Sequence, residues 1–399
     1  MLTGQTILCI SSGDRWSSPW KGRHQLMSRL LARNTVIYVE EPRMSLLSLR
    51  ADQARMRKLW SWLHVHRPQP NLVLYAPLLC VPGADRCPWV NGVNNRILAL
   101  NLKLALKRIN LTPSILYLCY YTHGDLIARI GAPLSVYNAH DVWEAYYENA
   151  KLEQLHESYE AATIARVDVA LFTSRKNLER KQHLNPCSHY LPQGAPTMGA
   201  AVQVPTAPPP DLPKGSGFNL CYWGTIDSES VDIDLIDRLA SKHQEWQFVF
   251  IGPILKANES QFMRLRRFRN IVFLGNKARE QRWHYFQHSD VGLLCARMTR
   301  KETQASQLKV LEYIAGGLPV VSIPVEEYSD MPGMVYVACN PEQWEAAILT
   351  AVKENSSEAA EKRRLYSLEN SWDQRVARLS DILGSALEQR SSQRGKRTG

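Results

Sequence analysis

Short β-branched runs alternate with helix-period segments along nearly the whole chain, and one proline-rich interruption splits that alternation into two rounds. Such alternation is satisfied by strands pairing in parallel, with helices covering both faces of the sheet. In the first round the pattern predicts strands near 6–10, 35–39, 71–76, 114–119, 134–138 and 169–172, with helices near 23–33, 95–109 and 142–166. The interruption at 191–217 carries P-Q-G-A-P-T-M-G and V-P-T-A-P-P-P-D-L-P-K-G-S-G, the composition of an extended linker. The second round predicts strands near 218–223, 247–251, 271–274, 291–294 and 319–323. Helices are expected near 232–242 and 279–288 and after Ser306, then near 341–353, 357–367 and 372–387.

At 399 residues the chain exceeds one ordinary core, and 45% hydrophobic residues can fill two. The division predicted is an α/β domain over 1–191, a linker over 192–217 and a second α/β domain over 218–370. A helix over 371–389 and a basic, polar, disordered tail over 390–399 follow. Ligands of such sheets sit at the carboxyl ends of the strands, and with two domains the cleft between them is the expected site. The net charge of +10 favours anionic partners: nucleotides, nucleic acid or acidic lipid. Eight scattered cysteines form no C-x-x-C or Cys/His cluster, so reduced cysteines and a cytoplasmic location are expected. The first residues read as no signal peptide, and no apolar run is long enough to span a bilayer. Residues 43–67 mix Arg and Lys with Leu, Met and Trp, which suits either an anionic membrane surface at the inner face or a helix packed on the first sheet.

The most informative stretch is S-Q-L-K-V-L-E-Y-I-A-G-G-L-P-V-V-S at 306–322. Ser306 is the expected N-cap, and a helix N-terminus presents free N–H groups and positive dipole to a phosphate. Lys309 adds a point charge in the first turn. Glu312, three residues on and on the same face, can accept both hydroxyls of a ribose. The competing reading is a solvated Lys–Glu pair. Gly224 and Thr225 directly follow a strand, where close backbone approach and a hydroxyl donor suit a phosphate, or simply a turn. In the first domain Asp141, beside His140 at a strand end, is either a base toward an acceptor hydroxyl or the N-cap of a D-V-W-E capping box with Glu144. Gly13 and Asp14 occupy the first loop, as a cleft element or a turn. Asp232-x-Asp234 superficially suits a metal, but acids that open a helix suit its dipole.

S-x-x-K-x-x-E-Y-x-A-x-G-x-P-V-V resembles the nucleotide-sugar signature of two-domain GT-B glycosyltransferases, close to family 4 (group 1). C-Y-W-G-T-I-D-S-E at 221–229, F-V-F-I-G-P at 248–253 and N-I-V-F-L-G-N-K at 270–277 match, in order, the glycine loop and next two strands of their C-terminal domain. S-S-G-D-R-W-S-S-P-W at 11–20 resembles the N-terminal loop of exopolysaccharide and teichuronic-acid-type transferases. The resemblance implies two Rossmann-like domains facing a cleft, with an acceptor on the first and a nucleotide-diphosphate sugar, UDP-linked, on the second. It implies donor contacts from Gly224, Thr225, Gly252, Pro253, Asn276, Lys277, Gln304, Ser306, Gln307, Leu308, Lys309 and Glu312. It also implies a retaining transfer without metal, a glycan or lipid-linked acceptor, and a last helix returning to the first domain. Two departures stand out. Gln304 occupies the position where many relatives carry a Glu, and G-T-I-D replaces the usual basic phosphate pattern, leaving Arg297 and Lys309, then Arg300 and Lys301, to supply charge.

Other readings remain at this stage: a GT-B epimerase or hydrolase, or a binding protein that releases no nucleotide. A nucleic-acid protein lacks any recognition motif here, and a dinucleotide dehydrogenase lacks G-x-G-x-x-G after a strand.

Overall fold

The computed structural model describes residues 1–11, 13–18, 20–40, 44–45, 65–77, 79–147, 149–197, 205–213, 217–304 and 307–398. They form two compact units, Met1–Gln193 with Asp373–Gly399, and Gly194–Trp372.

The first unit contains β1 (Thr6–Ile10), α1 (Gly22–Leu30), β2 (Thr35–Val39), β3 (Met44–Ser45), β4 (His66–Gln69), β5 (Leu72–Tyr75), β6 (Leu79–Cys80) and α2 (Pro88–Ile109). It continues through β7 (Ile115–Leu118), α3 (Leu126–Ile130), β8 (Leu134–Ala139), α4 (Ala150–Arg166), β9 (Val169–Phe172), α5 (Arg175–Lys181) and β10 (Ser188–Tyr190). Eight strands pair in the order β10-β9-β8-β7-β1-β2-β5-β4, all parallel except the β4–β5 edge, and β3 pairs with β6 apart from them. The central strands β1, β2, β7, β8 and β9 are apolar on both faces and buried almost throughout, as a doubly covered parallel sheet requires.

The second unit contains β11 (Asn219–Trp223), α6 (Ile233–Lys242), β12 (Gln247–Ile251), α7 (Glu259–Met263), β13 (Ile271–Gly275), α8 (Arg282–Gln287), β14 (Val291–Leu294) and α9 (Arg300–Gln304). After these come α10 (Leu308–Ala315), β15 (Val320–Ser322), β16 (Val335–Val337), α11 (Pro341–Glu354) and α12 (Ser357–Glu369). Its six strands are all parallel, in the order β13-β12-β11-β14-β15-β16. The parallel strands of each unit therefore run outward in both directions from the first strand, the Rossmann arrangement. The order reverses between β1 and β7 in one unit and between β11 and β14 in the other. The crevice outside the strand ends at such a reversal is where α/β sheets take ligands.

Three expectations need correction. Residues 142–166 are not one helix: Trp143–Tyr146 is a 3₁₀ turn, and α4 starts afresh behind Asn149, whose side chain accepts from the Lys151 and Leu152 N–H groups. The segment expected as a disordered tail continues the last helix, α13 (Trp372–Thr398). Propagating a formed helix through Gln, Arg, Ser and Lys is cheap once nucleated, and Arg390 pairs with Asp168. From Asp373 this helix belongs with the first unit, where Arg29 Nε donates to Asp373 Oδ1 at 2.7 Å. The described part of the proline-rich stretch is not free of the second unit. Leu212 is buried in that unit's core, and Asp211 accepts from Lys277 Nζ (2.6 Å) and Tyr285 Oη (2.8 Å). Most of the 43–67 stretch, residues 46–64, lies outside the described residues.

Three strand ends of the second unit are tied stepwise. Gly224 N donates to Ile251 O and Gly252 N to Gly275 O, each at 2.9 Å. Gly224 and Gly252 have φ of +146° and +144°, and a Cβ on Gly252 would lie 1.9 Å from the Gly224 carbonyl oxygen. Gly252→Ala is therefore expected to cost about 1–3 kcal/mol from backbone conformation alone, plus the overlap. Thermal unfolding should show a lowered Tm; an unchanged Tm would mean that the two loops do not abut.

Candidate functional site

The reversal point of the second unit is built around α10. Its apolar residues Val310, Leu311, Tyr313, Ile314 and Ala315 are buried, which fixes the rotation of the helix about its axis. Tyr313 Oη accepts from Trp223 N (2.7 Å) and donates to Leu293 O (3.3 Å), so one phenol bridges β11 and β14. Lys309 and Glu312 are left on the half-buried face.

Lys309 Nζ donates to Tyr222 Oη at 2.8 Å and lies 4.0 Å from the centre of that ring. Tyr222 Oη in turn donates to the Thr225 carbonyl at 2.7 Å. A Cβ on Gly224 would lie 3.0 Å from Lys309 Cε and 3.2 Å from Nζ. Gly224, Thr225 and Lys309 thus meet at the mouth of the reversal. Burial pulls the Lys309 ammonium below the ordinary lysine range, against the opposing pull of Cys295, Glu302, Asp227 and Glu312.

Glu312 lies in an ion-paired nest. Its Oε1 is 3.0 Å from Arg279 Nη2 and 3.5 Å from Arg282 Nη1. Arg282 is buried, its guanidinium 4.4 Å from the Trp283 ring centre, and burial lowers its pKa against the pull of Glu312. Arg279 and Arg282, three residues apart, were read only as part of a helix; their spacing on one face just past a strand end was the available signal.

The remaining predicted residues divide. Ser306 lies outside the described residues, and Gln307 holds the N-cap position of α10 without a side-chain cap bond. Its Nε2 donates instead to Glu302 Oε2 at 2.9 Å. Glu302 is 7% exposed, and burial raises its pKa against the pull of Lys301 and Lys309. This buried carboxylate stands two residues before Gln304, whose Oε1 is buried with no partner among the described residues. Leu308 opens α10. Pro253 O accepts from Ile226 N, which zips the Gly224 and Gly252 loops together. Asn276 is exposed, and Lys277 is engaged by Asp211. Arg297 is exposed, with its backbone N–H bonded to Glu229 O, and its charge adds to that of Arg264 in lowering the Asp234 carboxyl. Lys301 pairs with Glu229 at 2.6 Å. Asp232 caps α6, accepting from the Asp234 and Leu235 N–H groups, and Asp234 pairs with Arg264, as the helix-cap reading requires. Among the described residues no three His, Cys, Asp or Glu side chains gather as metal ligands.

In the first unit the structure joins residues the sequence named separately. Gly13 (φ +96°) and Asp14 follow β1, and Asp14 pairs with Lys21 (2.9 Å) and with Arg23, a buried residue of α1. Burial alone would raise the Asp14 carboxyl; Arg23 and Lys21 outweigh it and hold it below the usual range. Arg23 Nη1 lies 3.1 Å from His140 Nε2. A guanidinium can only donate, so Nε2 accepts and the ring proton sits on Nδ1, toward Asn138 O at 3.3 Å. Burial, then Arg23, push His140 down to about 3, so it stays neutral. Its Nε2 is committed to Arg23. Asp141 Oδ2 accepts from Tyr146 Oη at 2.7 Å, and Oδ1 from its neighbour's Val142 N–H at 3.3 Å.

Residues 219–354 match the family model described as Glycosyl transferases group 1, and this bears out the resemblance to family 4-like GT-B transferases. A Bacillus subtilis (strain 168) protein named as a teichuronic acid biosynthesis glycosyltransferase is 26% identical over 115 residues, spanning 29% of this chain and 29% of that relative. Solved structures share the fold. Sucrose-phosphate synthase from Thermosynechococcus elongatus aligns over 96% of this chain and 98% of its own, with a TM-score of 0.69 and 13% identity. Anabaena HepE, solved in complex with UDP, aligns over 96% and 100%, with a TM-score of 0.63 and 12% identity.

The Lys309–Tyr222 contact is testable by itself. The phenol oxygen accepts from the ammonium and so favours its charged form; removing it in Tyr222→Phe should lower the Lys309 pKa further. NMR titration of ¹³C-labelled lysine, with Lys309→Arg for assignment, should show one signal below the ordinary lysine range. That signal should move lower in Tyr222→Phe, and an unmoved signal would show that the hydroxyl does not hold Lys309.

Proposed function

We propose that this GT-B, family 4-like chain is a glycosyltransferase that moves a sugar from a UDP-linked donor to a glycan or lipid-linked acceptor in cell-surface polysaccharide synthesis. The observation that carries the reading is the pairing, on one helix face at the strand-order reversal, of a cation held by Tyr222 and a carboxylate oriented by two arginines, Lys309 and Glu312. Lys309 and the Gly224–Thr225 loop would meet the diphosphate. Two arginines on Glu312 Oε1 hold the carboxylate still while Oε2 faces the ribose hydroxyls. The uridine assignment is supported by the fold neighbours' complexes, HepE with UDP and with UDP-glucose.

In the transfer, the anomeric C–O bond to the diphosphate breaks and UDP leaves. Negative charge growing on the leaving phosphate is met by the Lys309 ammonium, held in place by Tyr222, a preorganised arrangement. Charge supplied by protein groups is the basis for proposing that no metal is required, and activity unchanged by EDTA is the expected result. The acceptor hydroxyl is assigned to the first unit, with Asp141 as its base or orienting group and Gly13, Asp14 and neutral His140 shaping that end. Retention of anomeric configuration is the favoured outcome. The location proposed is cytoplasmic, at the inner face of the membrane; among the described residues no helix is long and apolar enough to cross one. A binding protein without turnover is the second reading, prompted by uncharged Gln304, and release of UDP from a UDP-sugar would eliminate it.

Two variants test the assignment. Glu312→Ala strands Arg282 in a buried position, so the ligand-free Tm should drop, by up to about 3 kcal/mol of stability. The readout is therefore the donor-induced shift relative to each protein's own baseline. UDP-sugars should raise the wild-type Tm and leave Glu312→Ala unmoved; equal shifts would sink the ribose assignment. Asp141→Asn should retain donor affinity and lose transfer, and turnover like that of the wild type would leave Asp141 a structural role.

A further inference from the structure

The longest helix wholly described in the first unit before α13 is α2, and one of its faces is apolar, basic and open. Val90, Asn91, Asn95, Ala99, Leu102, Ala105 and Leu106 turn inward. Asn91 and Asn95 donate from Nδ2 to the Thr122 carbonyl at 3.0 and 2.8 Å, which pins the helix in that rotation. The outward face presents Trp89 (70% exposed), Leu100 (62%) and Leu104 (45%). Arg96, Lys103 and Lys107 are exposed among them. At 3.6 residues per turn these six positions fall within an arc of about 100°. Helix α2 contains no Asp or Glu, and Asp85 just before it is 3.5 Å from Arg86.

A face that pairs large exposed apolar side chains with cations alone has one complementary surface: an interface with an apolar interior and an anionic rim. We propose that α2 is a membrane-docking helix that lies in the plane of an anionic lipid bilayer. Trp89, Leu100 and Leu104 enter the acyl boundary, and Arg96, Lys103 and Lys107 reach the headgroups with their stems along the apolar surface. This goes beyond the donor chemistry and does not depend on it. It also differs from the basic stretch at 43–67, because every residue used here is on α2.

Flotation of the full-length protein with lipid vesicles tests it. The wild type should float with mixed phosphatidylcholine–phosphatidylglycerol vesicles and remain behind with phosphatidylcholine alone. Raising salt from about 0.1 M to about 1 M should weaken the binding, since screening shortens from about 10 to about 3 Å. Leu100→Ser with Leu104→Ser, and separately Arg96→Gln with Lys103→Gln and Lys107→Gln, should each cut the floated fraction about tenfold. Because the face is exposed, neither set should change the Tm or the UDP-sugar response. Flotation unaffected by both sets would overturn the proposal. So would a dimer in gel filtration that the leucine variants dissolve, which would assign the face to a second copy of the chain.

Discussion

The need of α10 to bury its apolar side fixes most of what the second unit can do. Val310, Leu311, Ile314 and Tyr313 have a single inward direction, toward the sheet, and Tyr313 locks it by bonding to both β11 and β14. With rotation fixed, Lys309 and Glu312 have no choice of face. They open at the place where the strand order reverses, between β11 and β14. A helix that slipped by one residue would bury Lys309 without a phenol beneath it and would turn Glu312 away from Arg279 and Arg282.

The first unit uses a buried cation in a comparable way. Arg23 leaves α1 inward and holds Asp14 of the first loop and His140 beyond β8. Burial first, and the Arg23 charge second, keep His140 neutral, while Arg23 and Lys21 together hold Asp14 ionised against burial. A neutral imidazole with its free nitrogen already occupied is a scaffold element. Asp141, next along the chain, accepts from Tyr146 Oη through Oδ2.

The sheets were legible because buried parallel strands leave an uninterrupted β-branched signature: Thr6–Ile10, Thr35–Val39, Val169–Phe172, Gln247–Ile251 and Val291–Leu294 fall where the pattern put them. Edge strands were not. His66–Gln69 and Ser188–Tyr190 are short and polar, and take their conformation from a neighbour more than from their own residues, while Val335–Val337 is only three residues long. The same limit governed the site. Lys309 and Glu312 were readable because they share one helix, where a fixed spacing implies a shared face. Tyr222, Arg279, Arg282 and Arg23 were missed because their roles depend on contacts across dozens of residues, which periodicity does not carry.

The electrostatics around Lys309 bear on how this cation is held. Burial disfavours the Lys309 ammonium, and its immediate partner is a neutral phenol that offers only a hydrogen bond and a ring face. The carboxylates that could neutralise it are each occupied: Glu312 by two arginines, Glu302 by Gln307, and Asp227 by the Glu229 and Ser230 N–H groups. Their combined pull does not offset burial, so the charge of an added anion would stabilise the ammonium further. A diphosphate would supply that charge, raise the lysine's affinity for its proton and tighten as its own negative charge grows during bond cleavage.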